Sequence, residues 1–426
     1  MTTMTAMKRA AAKTEARSAS SARLAAHIFC ALLFLRLIAD FEGIPGGLQA
    51  ALNQGVIFAA IGCGFIYSTL TIGRTTRITL PIMIVILSIW FLIGVAEEGF
   101  MQPLTSAYLR FLALLGMVVL ARVGVRALGP VPFLTRVVWV SFPAVALVAI
   151  GVLTRSPLLF SSGTGRAFGT FNHTNSAASF VAVYVLVLVF LLMRQRKWRY
   201  FWLLVVALLA VVGTLSLGGL SSLAVGIVLL LFMSGARARV KVAAAVVLAG
   251  AAVVVFVSGA LDSRLSQLET TVSFDDATSA TSTNSLDWRF YNWRRVLAIW
   301  AQRPFFGYGL GRADLDLQPI GKQPHNEYVR ALVETGILGT VLLAVIVAVL
   351  IASLAASRTT ERWGKALAIS TLVTLLVNAL ASNTTSYAPT MMLCVATWAV
   401  GVAMNRGSGD DPLPTGRRTG KGAVRG

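Results

Sequence analysis

Three histidines stand in 426 residues, so the surroundings of each bear on whether the chain does proton chemistry. His325 follows Pro324 where a helix begins in the pattern. The positive end of a helix dipole disfavours a second proton on such a ring, and a neutral imidazole is what a general base requires. A capping or solvated loop histidine fits the same position. His173 sits in a shorter polar stretch, and His27 lies within the first apolar run. Upstream of His325, Trp288, Tyr291, Trp293 and Trp300 interleave with Arg289, Arg294 and Arg295, and Val296, Leu297 and Ile299 extend an apolar face. That pattern reads as an amphipathic segment lying in a membrane interface, with aromatics at headgroup level and arginines towards water or phosphate. Pro304 ends it. Gly307, Gly309 and Gly311 read as a flexible turn, because neither their spacing nor a strand–helix context matches a dinucleotide fingerprint. Arg110 is a charge at the end of an apolar run, which marks a functional candidate or a side chain that snorkels to the interface. Cys30, Cys63 and Cys394 all fall inside apolar runs, so neither a disulfide framework nor a metal site is expected. No carboxylate pair suits a hard cation.

The elements that must carry these residues are set by composition. The chain is 56% hydrophobic and only 13% charged, with a mean hydropathy of +0.76, against about 25% charged residues in an ordinary soluble domain. A soluble fold and general disorder are both excluded, and the expected class is an all-α polytopic membrane protein. Runs of roughly 20 apolar residues give about twelve transmembrane helices, near 22–40, 48–72, 78–96, 104–122, 131–153, 174–193, 200–216, 217–234, 240–260, 336–356, 364–382 and 386–405. The seventh and eighth are divided at Gly218-Gly219, read as a tight hairpin.

The net charge of +20 would suggest nucleic acid in a soluble chain, but here its placement is orderly. Basic clusters at the N-terminal tail, Arg74/Arg77, Arg122/Arg126/Arg136, 194–199, 237–241, 358–365 and the C-terminal tail all fall in alternate loops, and Lys and Arg in short loops mark the cytoplasmic side. That side takes 25 of the 37 basic residues against four acids, a net +21, and the remainder of the chain nets −1. Both termini are therefore expected in the cytoplasm. The N-terminus is Arg/Ser/Ala-rich, but no small-residue cleavage site follows a short apolar core, so an uncleaved tail is expected. The resulting organisation is a basic tail over 1–23, nine helices over 24–260, a large periplasmic loop over 261–335 with short amphipathic helices and the catalytic groups, three helices over 336–405, and a second tail over 406–426. A further outer loop covers 154–173. Long loops usually serve function or are disordered; the Ser/Thr/Asp-rich 270–285 reads as a mobile tether.

Two stretches carry a resemblance. GRAFGTFNHTNSAA (165–178) and RPFFGYGLG with PHNEYVRALVETGILG (303–339) resemble the two signature regions of the O-antigen ligase/polymerase family, bacterial inner-membrane glycosyltransferases of about a dozen helices. With the topology, the resemblance extends over roughly 100–405. It implies transfer of a glycan from undecaprenyl diphosphate to a hydroxyl acceptor at the periplasmic face, with membrane lipids as surroundings and no nucleic acid, metal or cofactor. It also implies roles: His325 as the catalytic base, Arg166 and Arg289 as the grip on the diphosphate, where a planar fork suits phosphate oxygens, and Arg110 as a further candidate for that grip. Asn175, Asn326, Glu334 and His173 match motif positions in supporting roles, for which capping and loop fixing serve as well. In one place the chain departs from the family: Leu217 stands where many members carry an arginine after the seventh span.

The acceptor divides the family. Lipid A–core makes the protein a ligase, and the growing glycan makes it an O-antigen or exopolysaccharide polymerase. A protein hydroxyl is less expected, since no extended C-terminal periplasmic domain follows. From a different class, a transporter or flippase of lipid-linked or anionic cargo would need charged or broken helices at the bilayer midplane, whereas the charges here lie outside the spans. A peptidoglycan polymerase shares the large outer loop but not the Pro-His-Asn signature.

Overall fold

A computed structural model describes residues 2–41, 43–71, 74–239, 241–242, 262, 266, 285–314, 323–356 and 362–405. Within them the chain forms α1 (Thr2–Ala39), α2 (Gly46–Thr71), α3 (Arg74–Glu98), α4 (Gln102–Leu128), α5 (Pro130–Thr154), α6 (Thr174–Gln195), α7 (Trp198–Gly213), α8 (Leu217–Met233), α9 (Ser285–Trp300), α10 (Glu327–Ala355), α11 (Arg362–Ala379) and α12 (Ala388–Asn405). Every expected span but one coincides with a described helix. The run at 240–260 lies outside the described residues apart from 241–242, and the 270–285 tether does so up to Ser285. Among the described residues seven helices are long and apolar enough to cross a membrane, and α7, α8 and α12 are apolar but shorter.

α6 is the axis of the bundle. Its apolar residues are buried all round, including Phe180, Tyr184, Leu188 and Phe190, because α5, α7, α8, α11 and α12 all pack on it. A helix that is hydrophobic on every face belongs inside such a bundle. α3 and α10 are equally apolar yet only 6% and 11% of their best spans are buried, so their faces are left to lipid. Small residues set the close crossings, as is usual where lipid tails compete with side chains for packing. A Cβ on Gly116 would lie 2.1 Å from the Ala60 carbonyl oxygen, and one on Gly226 would lie 2.1 Å from Thr374 Oγ1.

Connections gather at two ends, in agreement with the alternation of charge. At one end Arg303 pairs with Glu97, Arg312 pairs with Glu98 at 2.8 Å, and Asn383 donates to Gln323 at 2.5 Å. At the other, Gln195 donates to Thr135 at 3.1 Å and to Tyr200 at 3.0 Å, and Lys365 donates to the Ala355 carbonyl.

Four expectations are corrected. The break between the seventh and eighth spans falls at Thr214–Ser216, where Leu215 takes φ +45° and Ser216 Oγ caps α8 by accepting from Gly219 N. Gly218 and Gly219 lie inside the first turn of α8; a Cβ on Gly219 would meet Ala178 at 2.5 Å, so close packing on α6 accounts for that glycine. The tenth span begins earlier than 336: α10 starts at Glu327 and is broken by Gly336 at φ +64°. The 154–173 loop holds a two-residue antiparallel pair, β1 (Phe160–Ser161) with β2 (Arg166–Ala167), the one departure from an all-helical fold among the described residues. Finally, α9 does not present its whole aromatic stripe to an interface. Val296 and Ile299 pack with Tyr308, Ala313, Val329 and Val333 in a small core of their own.

Candidate active site

The shorter loop, 154–173, is folded around Arg166. The β1–β2 turn, with Gly165 at φ +66°, delivers Arg166 to the break between α7 and α8, where Nε donates to the Thr214 carbonyl at 2.6 Å and Nη2 to Asn175 Oδ1 at 2.9 Å. Ser216 Oγ donates to the same Asn175 oxygen at 3.1 Å. Asn175 therefore joins the loop, the break and the start of α6. Its backbone N–H donates to His173 Nδ1 at 3.1 Å, which makes His173 the N-cap of α6 and leaves Nε2 as the ring N–H of the neutral form.

The larger loop brings up His325. Asn292 Nδ2 donates to the Gln323 carbonyl at 3.0 Å and Trp293 Nε1 to the Pro324 carbonyl at 2.5 Å, so α9 holds the backbone immediately before the histidine. His325 itself takes φ +50°, a left-handed conformation that costs a side-chain-bearing residue about 1–3 kcal/mol and persists only where the surroundings fix it. The clamp on one side and a cap on the other do so. Asn326 Oδ1 accepts from Tyr328 N and Val329 N at 3.0 and 3.2 Å, an N-cap of the usual kind. The His325 ring lies 5.6 Å from Trp288 and 6.2 Å from His173, centroid to centroid, the two imidazoles tilted by 26°. The two loops thus meet at a histidine pair.

Both imidazoles are held neutral. His173 and His325 are each lowered to about 4, first by burial; Arg166 and then Arg289 lower His173 further, and Arg289 and then His173 lower His325. The His173 ring still reaches solvent, with protein crowding its other sides. Arg289 is placed with the pair by these interactions. It also acts on Tyr387. The Nδ1 of His325 is buried without a hydrogen-bond partner among the described residues.

The remaining candidates are structural in their contacts. Glu334 is buried, accepts from Arg330 Nε at 3.2 Å, and accepts from the Ala313 N–H at 3.0 Å. Arg330 reaches on to Ser386 Oγ at 2.5 Å. The Gly-rich stretch is pinned, contrary to the flexible turn expected. Tyr308 N and Gly309 N donate to the carbonyls of Val333 and Glu334, and Ile337 N and Leu338 N donate to those of Pro304 and Phe305, across the break at Gly336. Trp90 of α3 closes the joint by donating to the Phe306 and Thr335 carbonyls at 3.2 and 3.0 Å. Gly309, at φ +96°, has room for no Cβ: one would lie 2.2 Å from Gly94 N.

Arg110 lines a cavity among α1, α2, α4 and α12 together with Thr385, which donates to Glu327. Leu217 opens α8 with its side chain 38% exposed, and the Arg166–Thr214 bond lies at the same break. Sequence reasoning missed Thr214, Ser216, Trp288 as the neighbour of His325, and Arg330; only the last two had a signal, in the aromatic stripe and in the motif itself. Among the described residues no three His, Cys, Asp or Glu side chains converge as a metal would require.

Residues 202–344 match the family model described as O-antigen ligase. Over that third of its length the chain is similar to O-antigen ligases. No curated protein matches it. The O-antigen ligase match runs from α7 across the large loop into α10, and so takes in Arg289, His325, Asn326 and Glu334. Arg166, His173 and Asn175 lie before it and reach the same place through the fold. A glycosyltransferase activity in general terms follows from the family.

Proposed function

We propose that this protein transfers a glycan from undecaprenyl diphosphate to a hydroxyl acceptor at the periplasmic face of the bacterial inner membrane, in the manner of an O-antigen ligase. The acceptor oxygen attacks the anomeric carbon, a new C–O bond forms, and the bond to the diphosphate oxygen breaks with both electrons leaving on the lipid diphosphate. His325, neutral before the reaction, takes the proton of the attacking hydroxyl. Arg166 and Arg289 hold the leaving diphosphate and offset its charge, a form of electrostatic stabilisation that is strong in a preorganised site. The observation that carries this reading is the meeting of His325, His173, Arg289 and Arg166 from two loops distant in sequence.

The electrostatics add a consequence. An anionic diphosphate arriving between the arginines cancels the positive charges that, after burial, hold the imidazoles down. Donor binding therefore raises the basicity of His325 at the moment a base is needed. Replacing His325 by Gln is expected to lower transfer by about 10²–10⁴, the usual contribution of a general base, with undecaprenyl-linked glycan accumulating in the membrane. Wild-type transfer by a correctly inserted His325→Gln protein would remove the base from the mechanism. Lipid A–core is the acceptor proposed. Accumulation of single repeat units in place of long chains in a deletion strain would identify a polymerase instead.

A further inference from the structure

Trp288 stands apart from the other tryptophans of α9. Trp293 and Trp300 donate to the Pro324 and Pro304 carbonyls at 2.5 and 3.3 Å, and both pack against the small core around Val296 and Ile299. Trp288 does neither among the described residues. It is half-buried, and its one aromatic neighbour there is the His325 ring, 5.6 Å away between centroids and tilted by 59°. A large apolar ring with a polar N–H is thus left partly uncovered at the histidine pair, where neither packing nor a hydrogen bond accounts for it.

Helix geometry explains how it comes there. Trp288 and Asn292 are one turn apart and share a face of α9, and Asn292 Nδ2 donates to the Gln323 carbonyl at 3.0 Å. That face is therefore turned to the segment before His325, and the next turn back brings the indole to the histidine itself. The distance suits the chemistry. A base takes its proton from an oxygen about 3 Å away, and that oxygen attacks a carbon about 3–3.5 Å further on. The reacting carbon then lies within about 6 Å of the imidazole, the separation at which the indole stands. A pyranose offers a face of C–H groups to such a ring. As its bond to the diphosphate oxygen breaks, positive charge gathers at the anomeric carbon, and the negative face of an indole attracts a cation. The two arginines serve the opposite charge, on the departing diphosphate.

We propose that Trp288 is the platform for the sugar that is transferred, its indole face stacked on the ring whose anomeric carbon reacts. This assignment rests on the transferase reading and adds to it a subsite for the sugar ring, which distinguishes a glycan-bearing lipid from a bare one. Stacking on C–H groups needs no particular hydroxyl, so the subsite selects for a ring and not for one sugar.

The test uses the purified full chain in a neutral detergent with two probes: undecaprenyl diphosphate carrying its glycan, extracted from cells that lack the protein, and bare undecaprenyl diphosphate. The wild type is expected to bind the first about tenfold more tightly, the scale of one desolvated ring contact. Trp288→Phe, which keeps an aromatic face, should retain most of that preference, and Trp288→Leu should lose it, while both bind the bare lipid as the wild type does. A second measurement stands even if Trp288→Leu fails to fold. With fluorotryptophan incorporated, the fluorine resonance that Trp288→Phe removes should move with the glycan-bearing lipid and stay with the bare one. An undiminished preference in Trp288→Leu, or an unmoved resonance, would overturn the platform and leave the transferase reading intact. Equal loss in Trp288→Phe and Trp288→Leu would show that bulk and not the π face matters, with the same result. A wild type that binds neither lipid would end the transferase reading, and the platform with it.

Discussion

A histidine serves as a base only in its neutral form, and at His325 the neutral form is secured by burial first and by positive neighbours second. Both folded values lie near 4 and the free value is 6.5, so between these the unfolded chain binds protons that the folded pair refuses. The pair's contribution to stability is therefore whole above pH 6.5 and is lost as the pH falls through about 4. Transfer should follow the same window. Its rate is expected to hold from pH 8 down to about 5.5 and to fall only on approach to 4, where an ordinary histidine would already have lost activity near 6.5. Arg289→Gln removes a positive charge from both rings, so the acidic limb of the rate profile should move to higher pH as the overall rate drops. A variant with a lower rate and an unmoved limb would place Arg289 on the substrate alone and not on the histidines.

At the scale of elements, α9 and the start of α10 hold His325. α10 is fixed in turn by the joint between its break and the Gly-rich stretch, and a buried ion pair gives that joint a test. Arg330 and Glu334 are 2% and 5% exposed as side chains, and Glu334 also carries the Ala313 N–H. Removing one partner leaves the other charged in a low-dielectric interior, which typically costs 3–5 kcal/mol, about as much as many buried pairs lose when broken; replacing both by apolar residues costs far less. Glu334→Met alone should therefore lower the melting temperature more than Arg330→Met/Glu334→Met together, while transfer stays low in both because Ala313 has lost its acceptor. Equal or additive losses would mean that the pair is solvated and does not hold the joint. The helices were legible because apolar run length fixes a span, and the start of α10 was legible in Pro324-His325-Asn326. The joint was not. Trp90 with Thr335 and Gly309 with Gly94 pair residues over 200 apart in sequence, and glycines chosen for close approach read locally as glycines chosen for turns. The same ambiguity misplaced the break at Thr214–Ser216, where Leu215 takes a positive φ with no residue type to announce it.

Over the whole molecule, loop charge and contact geometry divide the described connections alike. The loops that net +21 in sequence include those beside Thr135 and at 195–200, which meet at one end. The connections joined by Arg303–Glu97, Arg166–Thr214 and Thr385–Glu327 meet at the other, and that end carries the histidine pair. If positive loops mark the cytoplasm, the site faces the periplasm, where a lipid-linked glycan would be met after it has crossed the bilayer. Alkaline phosphatase reports this directly, because its disulfides form only in the oxidising periplasm. Fused after the exposed Gly163 in the β1–β2 turn, it should be active; fused after Lys197, between α6 and α7, it should be inactive. The single helix α6 separates those points, so a correct bundle cannot give both the same sign. Activity at Lys197 with silence at Gly163 would invert the protein, put His325 in the cytoplasm, and end the case for a periplasmic transferase whatever the chemistry of the pair.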